Sequence, residues 1–385
     1  MFQNERPVWA EVHLDRLEFN YNSIKNLARG KRILAVVKAD GYGHGMKQVA
    51  TKIKSMGIAD FAVAILDEAL EFRGFDKESS ILVLGFTTGE SAAQAVANDV
   101  TITVFRYSEA KKFSDEAVRQ GKRIKLSVAL DTGMSRIGFP CNEASVAEIH
   151  EIAELPNVVM EEIYSHFSTA DDADKTYSQL QLQRYNAMVG QLTAKGVKFS
   201  HYHMANSAAI IDLPEAHFDT VRPGIVQYGY QPSDEVHKER LPLKPILDWK
   251  AKLVLVKTIK QGTPVSYGNT FVAPKDTVIG TIPLGYADGY SRGLSSKGAV
   301  LYKGKLCPIA GRVCMDQMMV DLTGVENPTE GDDVILLGSD GNIKYDADDM
   351  ARVLNTISYE ITCCIGKRVP RKYFDPDQGK LNREN

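Results

Sequence analysis

The sequence predicts an α/β fold, a TIM-type parallel (β/α)8 barrel followed by a mainly β C-terminal domain. Short apolar, β-rich runs alternate with helical segments eight times over the first 240 residues, which is typical of a parallel sheet built from βα units. Two prolines interrupt this alternation between Leu241 and Pro245, and strand-like runs then continue with few helices between them. We therefore expect a barrel domain over 1–240 and a mainly β domain over 241–385.

The barrel strands are predicted from runs of branched and aromatic residues that are separated by helical patterns. The eight runs are Ile33 to Lys38, Ile58 to Leu66, Ile81 to Phe86, Val100 to Phe105, Ile124 to Asp131, Val158 to His166, Phe199 to Ala205 and Phe218 to Arg222. Helical spacing between them is clear from Val146 to Leu155, where apolar residues recur every three or four positions. Asp15 lies three residues before Glu18, as at a helix start, so a helix should precede the barrel.

The C-terminal domain is predicted from β-rich runs bounded by Gly, Pro and Asp turns. These runs are Ile246 to Ile259, Thr277 to Leu284, Ala299 to Tyr302, Leu306 to Val313, Met318 to Leu322 and Asp333 to Leu337. One helical stretch, from Ala347 to about Ile357, is expected near the end of the chain.

Composition and charge indicate an ordinary globular protein. The chain is 44% hydrophobic and 25% charged, with a net charge of −3, which gives no basic footprint for nucleic acid or an anionic membrane. The N-terminal residues do not form a secretory signal, and no apolar run is long enough to span a bilayer. Five cysteines without paired ligand spacing predict no metal site. We expect a cytoplasmic protein that acts on small molecules.

The first candidate functional residue is Lys38, which follows a short apolar run and precedes a glycine-rich turn, Gly41 to Gly45. A lysine at the end of a buried strand loses hydration, which favours the free amine that a Schiff base requires. The glycines permit close approach of the backbone to a ligand, and Tyr42 and His44 offer hydrogen bonds. The alternative is a surface lysine in an ordinary strand-to-helix loop.

Several other strand ends carry polar groups, and a TIM barrel gathers such groups on one face. The relevant stretches are Asp131 to Arg136, Tyr164 to Phe167, Met204 to Ser207 and Val221 to Gly224. Each has an ordinary structural explanation, such as a helix cap at Ser207 or a turn at Gly224. Together with Lys38, however, they supply the Schiff-base lysine and the Ser and Gly donors that pyridoxal phosphate requires.

These residues resemble motifs of the alanine racemase family, and the resemblance covers nearly the whole chain. The matching stretches are Ala35 to Gly45, Asp131 to Gly138, His166 to Asp171, Asn206-Ser207, Arg222-Pro223-Gly224, Ser266-Tyr267-Gly268, Gly285 to Gly289, Gly311 to Asp316 and Arg368 to Arg371. Each stretch alone is weak evidence for the family, but the presence of all of them in the same order along the chain is specific to it. The resemblance implies racemisation of L-alanine and D-alanine, which supplies D-alanine for peptidoglycan.

The resemblance also implies a cofactor site for pyridoxal 5'-phosphate. Lys38 would carry the Schiff base, and Arg222 would face the pyridine nitrogen. Because a guanidinium donates hydrogen bonds and does not give up its proton, it would keep that nitrogen unprotonated. The phosphate would be held by Tyr42, Ser207, the backbone of Gly224, and Tyr359, with Asn206 beside Ser207 and with His166 linking Arg222 to the catalytic tyrosine.

A second set of residues is implied to reach the active site of the partner subunit in a homodimer. Racemisation needs a base on each face of the substrate, and by resemblance Lys38 serves the D-isomer and Tyr267 the L-isomer. Without the surrounding motif, Tyr267 would be read as an aromatic residue at a strand edge. The implied substrate-binding residues are Arg136, Tyr286, Met315 and Asp316.

The sequence departs from the family pattern at Ala129. Many members have a lysine at this position, seven residues before the motif arginine, which is Arg136 here. That lysine carries a carbamate, and the carbamate orients the arginine. Lys125 lies on the same strand face but more than about 10 Å away at roughly 3.3 Å per residue, so it is a poor substitute. We expect chloride, another anion, a carboxylate or ordered water to take the place of the carbamate beside Arg136.

Three other functions remain open at the level of sequence. The chain could be a racemase that prefers serine or accepts a broader set of amino acids, or a fold-related decarboxylase of basic amino acids. It could also be a non-catalytic carrier of pyridoxal phosphate. Tyr267 together with Arg222 argues against a decarboxylase, and the presence of a second domain argues against a carrier.

Overall fold

The computed structural model describes residues 6–376 and divides the chain into two compact units. The barrel unit comprises Glu18–Gly41 and Met46–Lys244. Within the described residues, the other unit comprises 6–17, 42–45 and 245–376, and we refer to it as the β unit. The N-terminal strand, β1 (Val8–His13), belongs to the β unit, and α1 (Leu14–Leu27) follows it directly.

The barrel unit contains a parallel sheet in which all eight predicted strands are present. Its strands are β2 (Arg32–Ile33), β3 (Ala35–Val36), β4 (Asp60–Val63), β5 (Ser80–Val83), β6 (Thr101–Val104), β7 (Ile124–Asp131), β8 (Phe139–Pro140), β9 (Val158–Tyr164), β10 (His201–His203) and β11 (Thr220–Val221). The order is β2-β11-β10-β9-β7-β6-β5-β4-β3, and β8 pairs beside β7. Because β2 and β3 belong to one run, which pairs with β11 on one side and β4 on the other, the eight runs form a ring.

Helices follow the strands and cover the barrel with their apolar faces. The first segment, α2 (Lys38–Tyr42), is a short left-handed turn. The helices are α3 (Met46–Ser55), α4 (Leu66–Phe75), α5 (Ala92–Ala97), α6 (Tyr107–Arg119), α7 (Glu143–Ala153), α8 (Thr176–Ala194) and α9 (Ser207–Asp212). In α7 the predicted residues Val146, Ile149 and Ile152 are buried, as expected when apolar side chains recur at helical spacing. The predicted (β/α)8 architecture is therefore confirmed.

The β unit is mainly antiparallel sheet. Its strands after β1 are β12 (Leu247–Lys252), β13 (Leu255–Ile259), β14 (Pro264–Val265), β15 (Phe271–Val272), β16 (Thr277–Ile282), β17 (Ala299–Tyr302), β18 (Lys305–Pro308), β19 (Met318–Asp321), β20 (Asp333–Asp340), β21 (Ile343–Tyr345) and β22 (Arg371–Phe374). The largest sheet of the unit has the order β18-β17-β20-β12-β1-β22. A C-terminal domain made mainly of β-strands was predicted, and this prediction is confirmed.

The β unit differs from the sequence prediction in several details. The predicted run from Leu306 to Val313 forms a strand, β18, only as far as Pro308. The run from Ile246 to Ile259 forms two strands in different sheets, because the chain leaves the first sheet after Lys252. The predicted helical stretch, Ala347 to about Ile357, forms α10 (Ala347–Leu354), which Asn355 ends with a left-handed φ of 55°. A further helix that was not predicted, α11 (Ser358–Cys363), follows it. Within residues 6–376, no helix is long and apolar enough to cross a membrane.

Candidate active site

Lys38 lies just beyond β3, where the chain enters a left-handed turn. Ala39, Asp40 and Gly41 have φ of 52°, 53° and 61° with ψ of 49°, 48° and 44°. The Gly41 amide donates to the carbonyl of Val37 at 2.9 Å. Such a turn costs L-residues roughly 1–2 kcal/mol each, so contacts with other parts of the fold must hold it. The half-buried Lys38 is therefore presented by a strained segment.

The backbone just before Lys38 is held by buried polar side chains. The carbonyl of Val36 accepts a hydrogen bond from the hydroxyl of Tyr228 at 3.1 Å and another from the side-chain amide of Gln227. Tyr21 in turn donates to the side-chain oxygen of Gln227. All three side chains are fully buried, so the end of β3 is fixed from within the barrel as well as by strand pairing.

Arg222 follows β11 and lies buried inside the barrel, with 3% of its surface exposed. Its Nη1 donates to His203 Nδ1 at 2.8 Å. Its Nη2 donates to the carbonyls of Ser165 and Met204 at 2.8 and 3.1 Å, and to His166 Nδ1 at 3.3 Å. Burial lowers the pKa of Arg222 to about 10, so the guanidinium stays protonated at neutral pH.

His166 is surrounded by the positive charges of the predicted site. Desolvation of its ring lowers its pKa well below the usual value, and Arg222, Arg136 and Lys38 lower it further. His166 is therefore neutral at physiological pH, and because Nδ1 accepts from Arg222, the ring proton is on Nε2. Three predicted site residues of the barrel unit, Arg222, Arg136 and Lys38, thus lie within electrostatic range of His166.

The predicted phosphate-binding loops of the barrel unit also meet. The backbone N–H of Gly224 donates to Ser207 Oγ at 3.0 Å, and a hydroxyl that accepts in this way can still donate its own proton. The side chain of Asn206 accepts from the Ala209 amide at 3.0 Å and so caps α9. Ser207 and Gly224 are adjacent and buried, whereas the observed role of Asn206 is to hold the start of the helix.

Arg136 has no counter-charge among residues 6–376. It is exposed and makes no hydrogen bond or ion pair with another described side chain. Ala129, the position of departure from the family pattern, is 2% exposed in β7. The Nζ of Lys125 lies 3.3 Å from the carboxylate of Asp99, so this lysine forms an ion pair with Asp99. The geometry gives no support to Lys125 as a partner of Arg136.

In the β unit, Tyr42 packs beside Tyr359, with ring centroids 6.0 Å apart. Burial raises the pKa of Tyr42 above its ordinary range, and the neighbouring Tyr359 and Cys363 raise it further. The phenol of Tyr42 therefore remains protonated and can donate a hydrogen bond, as binding of a phosphate requires. Tyr359 lies on α11, the helix that the sequence pattern did not predict.

The β unit also gathers the residues that the resemblance assigns to the partner's active site. Ser266, next to Tyr267, donates through Oγ to the carbonyl of Arg312 at 2.6 Å. The amide of Tyr286 donates to the carbonyl of Cys314 at 3.0 Å, which places this turn against the segment that carries Met315 and Asp316. Tyr267, Tyr286 and Met315 are 69%, 42% and 52% exposed. We call these three and Asp316 the tyrosine patch.

Sequence reasoning missed two buried partners of the predicted site, His203 and Glu162. His203 Nε2 donates to Glu162 Oε2 at 3.0 Å, and Arg32 donates to the other oxygen at 3.0 Å and to Asp60 at 2.7 Å. We call Arg222, His203, Glu162, Arg32 and Asp60 the charged row. A glutamate within the apolar run of β9 was the available signal, because a charge is buried only when it is paired.

The pKa values within the charged row follow from these contacts. Burial would raise the pKa of Glu162, but His203 and Arg32 lower it to about 2. Burial lowers the pKa of His203 to about 4, against the opposing effect of Glu162. At neutral pH the row therefore consists of charged Arg222, neutral His203, ionised Glu162 and charged Arg32, followed by Asp60. Glu162 thus fixes the His203 tautomer that accepts from Arg222.

Comparisons with known proteins agree over both units. The model of the alanine racemase N-terminal domain matches residues 12–232, and that of the C-terminal domain matches 246–373. The alanine racemase of Clostridium tetani is 45% identical over 375 residues, which is 97% of each chain.

Solved structures give the same result. The alanine racemase of Clostridium difficile superposes with a TM-score of 0.95 at 38% identity, covering 100% of this chain and 99% of that one. The Bacillus anthracis alanine racemase with bound L-Ala-P has a TM-score of 0.93 at 34% identity, covering 99% and 98%. With both domain models matched and relatives of this identity along nearly its full length, the chain belongs to the alanine racemase family.

Proposed function

We propose that the protein interconverts L-alanine and D-alanine, using pyridoxal phosphate attached at Lys38 Nζ and one base on each side of the substrate. The observation that carries this proposal is the cluster of Lys38, Arg136, His166 and Arg222 at the strand ends of the barrel unit. Membership of the alanine racemase family supports the substrate, since every relative reported above bears that name.

The residues of the barrel unit fit this cofactor. Lys38, Arg136 and Arg222 all lie within electrostatic range of His166. The hydroxyl of Ser207 accepts from the Gly224 amide and keeps its own proton to donate to a phosphate. The absence of an acidic partner for Arg136 among the described residues is consistent with a site that receives anionic groups. In the β unit, the paired phenols of Tyr42 and Tyr359 supply further donors.

When bound, pyridoxal phosphate acidifies the Cα–H bond of an amino acid by accepting electron density from the carbon. The protein would supply the remaining chemistry. Arg222 would face the pyridine nitrogen and, as a donor that stays protonated, would leave that nitrogen without a proton. His203, Ser165 and Met204 hold the guanidinium in one orientation, so its position is set before any substrate arrives.

Two proton carriers are required because inversion removes a proton from one face of Cα and returns one to the other. We assign the Lys38 amine to the D-isomer and the Tyr267 hydroxyl to the L-isomer. Arg136 would pair with the substrate carboxylate, together with the backbone N–H of Met315. Tyr286 and Asp316 would line the route by which substrate enters.

We further propose a homodimer in which the tyrosine patch of one subunit completes the active site of its partner. The high exposure of Tyr267, Tyr286 and Met315 supports this proposal, because large apolar side chains gathered on a surface favour association. The physiological role we propose is a cytoplasmic supply of D-alanine for peptidoglycan.

The test is to incubate the purified protein with L-alanine and to measure D-alanine by chiral chromatography, with L-serine as a competing substrate. We expect racemisation of alanine and a visible absorbance from the attached cofactor. Lys38→Ala should lose both the racemisation and the visible absorbance, because the same amine anchors the cofactor and acts as a base. Visible absorbance without conversion of either alanine isomer would favour a carrier, and turnover retained by Lys38→Ala would refute the assignment.

A further inference from the structure

Glu68 contacts two neighbouring loops of the barrel rim with its two carboxylate oxygens. Oε2 accepts from the amides of Ala64 and Ile65 at 2.8 and 3.4 Å. These amides precede α4, and a glutamate in the first turn of a helix commonly bonds back to them. One oxygen of Glu68 is therefore explained by the start of its own helix.

The second oxygen has a different partner. Oε1 accepts from the amide of Ala39 at 2.6 Å, although Ala39 lies 29 positions earlier in the chain. Ala39 directly follows Lys38 and is the first residue of the left-handed turn. Helix capping alone does not require this bond.

The bond from Ala39 completes the support of Lys38 on its C-terminal side. Before Lys38, the backbone is fixed by the pairing of β3 with β4 and by the Val37 amide, which donates to Ala62 at 2.9 Å. After Lys38, the turn costs roughly 1–2 kcal/mol per residue. A charge-assisted hydrogen bond to its first amide is strong enough to offset part of that cost.

We propose that Glu68 is a positioning residue that fixes the direction of Lys38 Nζ by holding the Ala39 amide. The proposal rests on the proposed role of Lys38 as cofactor anchor and base. Loss of the carboxylate would let the turn sample other backbone conformations, which would move the amine away from its working position and slow the proton transfers it performs.

The barrel provides a matched control in Glu148. This residue, on α7, accepts from the amide of Tyr107 at 2.6 Å, so it also ties the start of one element to a neighbouring helix. Like Glu68 it is partly buried. Its partner Tyr107, however, is the first residue of α6, a helix that contains no residue of the proposed site. Glu148→Ala therefore removes the same kind of bond from a different part of the barrel.

The experiment compares Glu68→Ala, Glu68→Gln and Glu148→Ala in the cofactor-loaded enzyme. Hydrogen exchange followed by mass spectrometry reports the protection of amides 39–42, and steady-state kinetics report kcat and KM for L-alanine. We expect Glu68→Ala to exchange at 39–42 at least about tenfold faster than wild type and to lose at least about tenfold in kcat with little change in KM. Glu68→Gln keeps one acceptor oxygen but loses the charge and the second acceptor, so it should show both changes in the same direction at a smaller size. Glu148→Ala should show neither effect.

The Gln variant keeps the proposal testable if Glu68→Ala does not fold, because it preserves size and one acceptor oxygen. Unchanged exchange at 39–42 in the Glu68 variants would overturn the proposal. Faster exchange with an unchanged kcat would also overturn it, as would an equal loss of kcat in Glu148→Ala. If the wild type has no racemase activity, the proposed function fails by itself, whereas the exchange result still shows whether Glu68 holds the turn.

Discussion

Tyr267 and Lys38, the two proposed bases, should respond differently to removal. Tyr267→Ala should keep the cofactor and its visible absorbance, because Lys38 remains, but should lose racemisation in both directions by roughly 10²–10⁴-fold, the usual contribution of one general base. In heavy water, nuclear magnetic resonance should still show deuterium entering D-alanine at Cα, since Lys38 serves that isomer, and little entering L-alanine. Near-normal racemisation by this variant would remove Tyr267 from the mechanism.

Arg136 gives a second prediction for single residues. Its guanidinium has no partner among residues 6–376, and Ala129 has no amine that could carry the carbamate expected there. We expect a chloride or similar anion beside Arg136, so replacement of chloride by a large organic anion should raise the KM for alanine or lower kcat. Varying carbon dioxide should have little effect, because no lysine at 129 can carry a carbamate.

The variant Ala129→Lys is the control for that prediction. If the surrounding geometry is that of the family, the new lysine should take up carbon dioxide and make activity depend on it while weakening the dependence on chloride. Activity indifferent to chloride, with no anion beside Arg136 in a crystal structure, would contradict the anion hypothesis. A carbamate on Lys125 paired with Arg136 would contradict it as well.

Strands β9 and β10 carry Glu162 and His203, and their pairing makes the barrel sensitive to acid. The folded protein lowers the pKa of His203 from 6.5 to about 4, so between these values the unfolded chain binds more protons. Glu162, with its pKa lowered from 4.5 to about 2, adds the same effect at lower pH. The free energy of unfolding should therefore fall as pH decreases from about 6.5 to 4, and fall further below 4.5.

Urea denaturation at a series of pH values measures this dependence. His203→Gln is a suitable comparison, because its side-chain oxygen can accept from Arg222 while its amide donates to Glu162, yet it does not titrate. The denaturation midpoint of this variant should change less than that of wild type between pH 6.5 and 4. Identical slopes for the two proteins would show that His203 does not contribute to the acid sensitivity.

At the level of elements, the eight barrel strands were predictable because each combines an apolar run with a following helical pattern. The hand of the turn after Lys38 was not predictable. Ala39 and Asp40 precede the glycines and are not glycines themselves, so the local sequence does not predict that the run of positive φ begins at Ala39. The turn is stabilised in part by Glu68, 29 positions away from Ala39, and such a contact exists only once β3 and β4 are neighbours.

The site was predictable to the extent that it depends on strand ends. Parallel strands bring their carboxyl ends to one face, which is enough to expect Lys38, Arg136, His166 and Arg222 near one another. The link from Arg222 through His203 to Glu162 depends on which side chains point into the barrel at the same level. A single sequence does not specify that register, so these partners became visible only in the structure.

The whole molecule is expected to work as a dimer, and mixed subunits test this. If Lys38 of one chain works with Tyr267 of the other, Lys38→Ala and Tyr267→Ala are each inactive alone. A hybrid dimer then contains one site with both residues intact. Mixing the two variants under conditions of subunit exchange should recover about a quarter of wild-type activity, because roughly half of the dimers are hybrids with one working site each.

Subunit exchange must be verified independently, for example by native mass spectrometry of differently tagged variants. Recovered activity that rises with the hybrid fraction would support a shared site. No recovery despite verified exchange would show that each site is completed within a single chain, and the tyrosine patch would then need a different explanation.

The left-handed turn after Lys38 has a stereochemical consequence. Inverting the Cα centre of a residue inverts the signs of its preferred φ and ψ. The backbone at Ala39, with φ of 52° and ψ of 49°, is therefore the relaxed helical conformation of a D-residue. An L-alanine at this position carries a penalty of roughly 1–2 kcal/mol that its mirror image would not. The ribosome supplies only the L-isomer here, so the amino acid that would best suit position 39 is the proposed product of the enzyme itself.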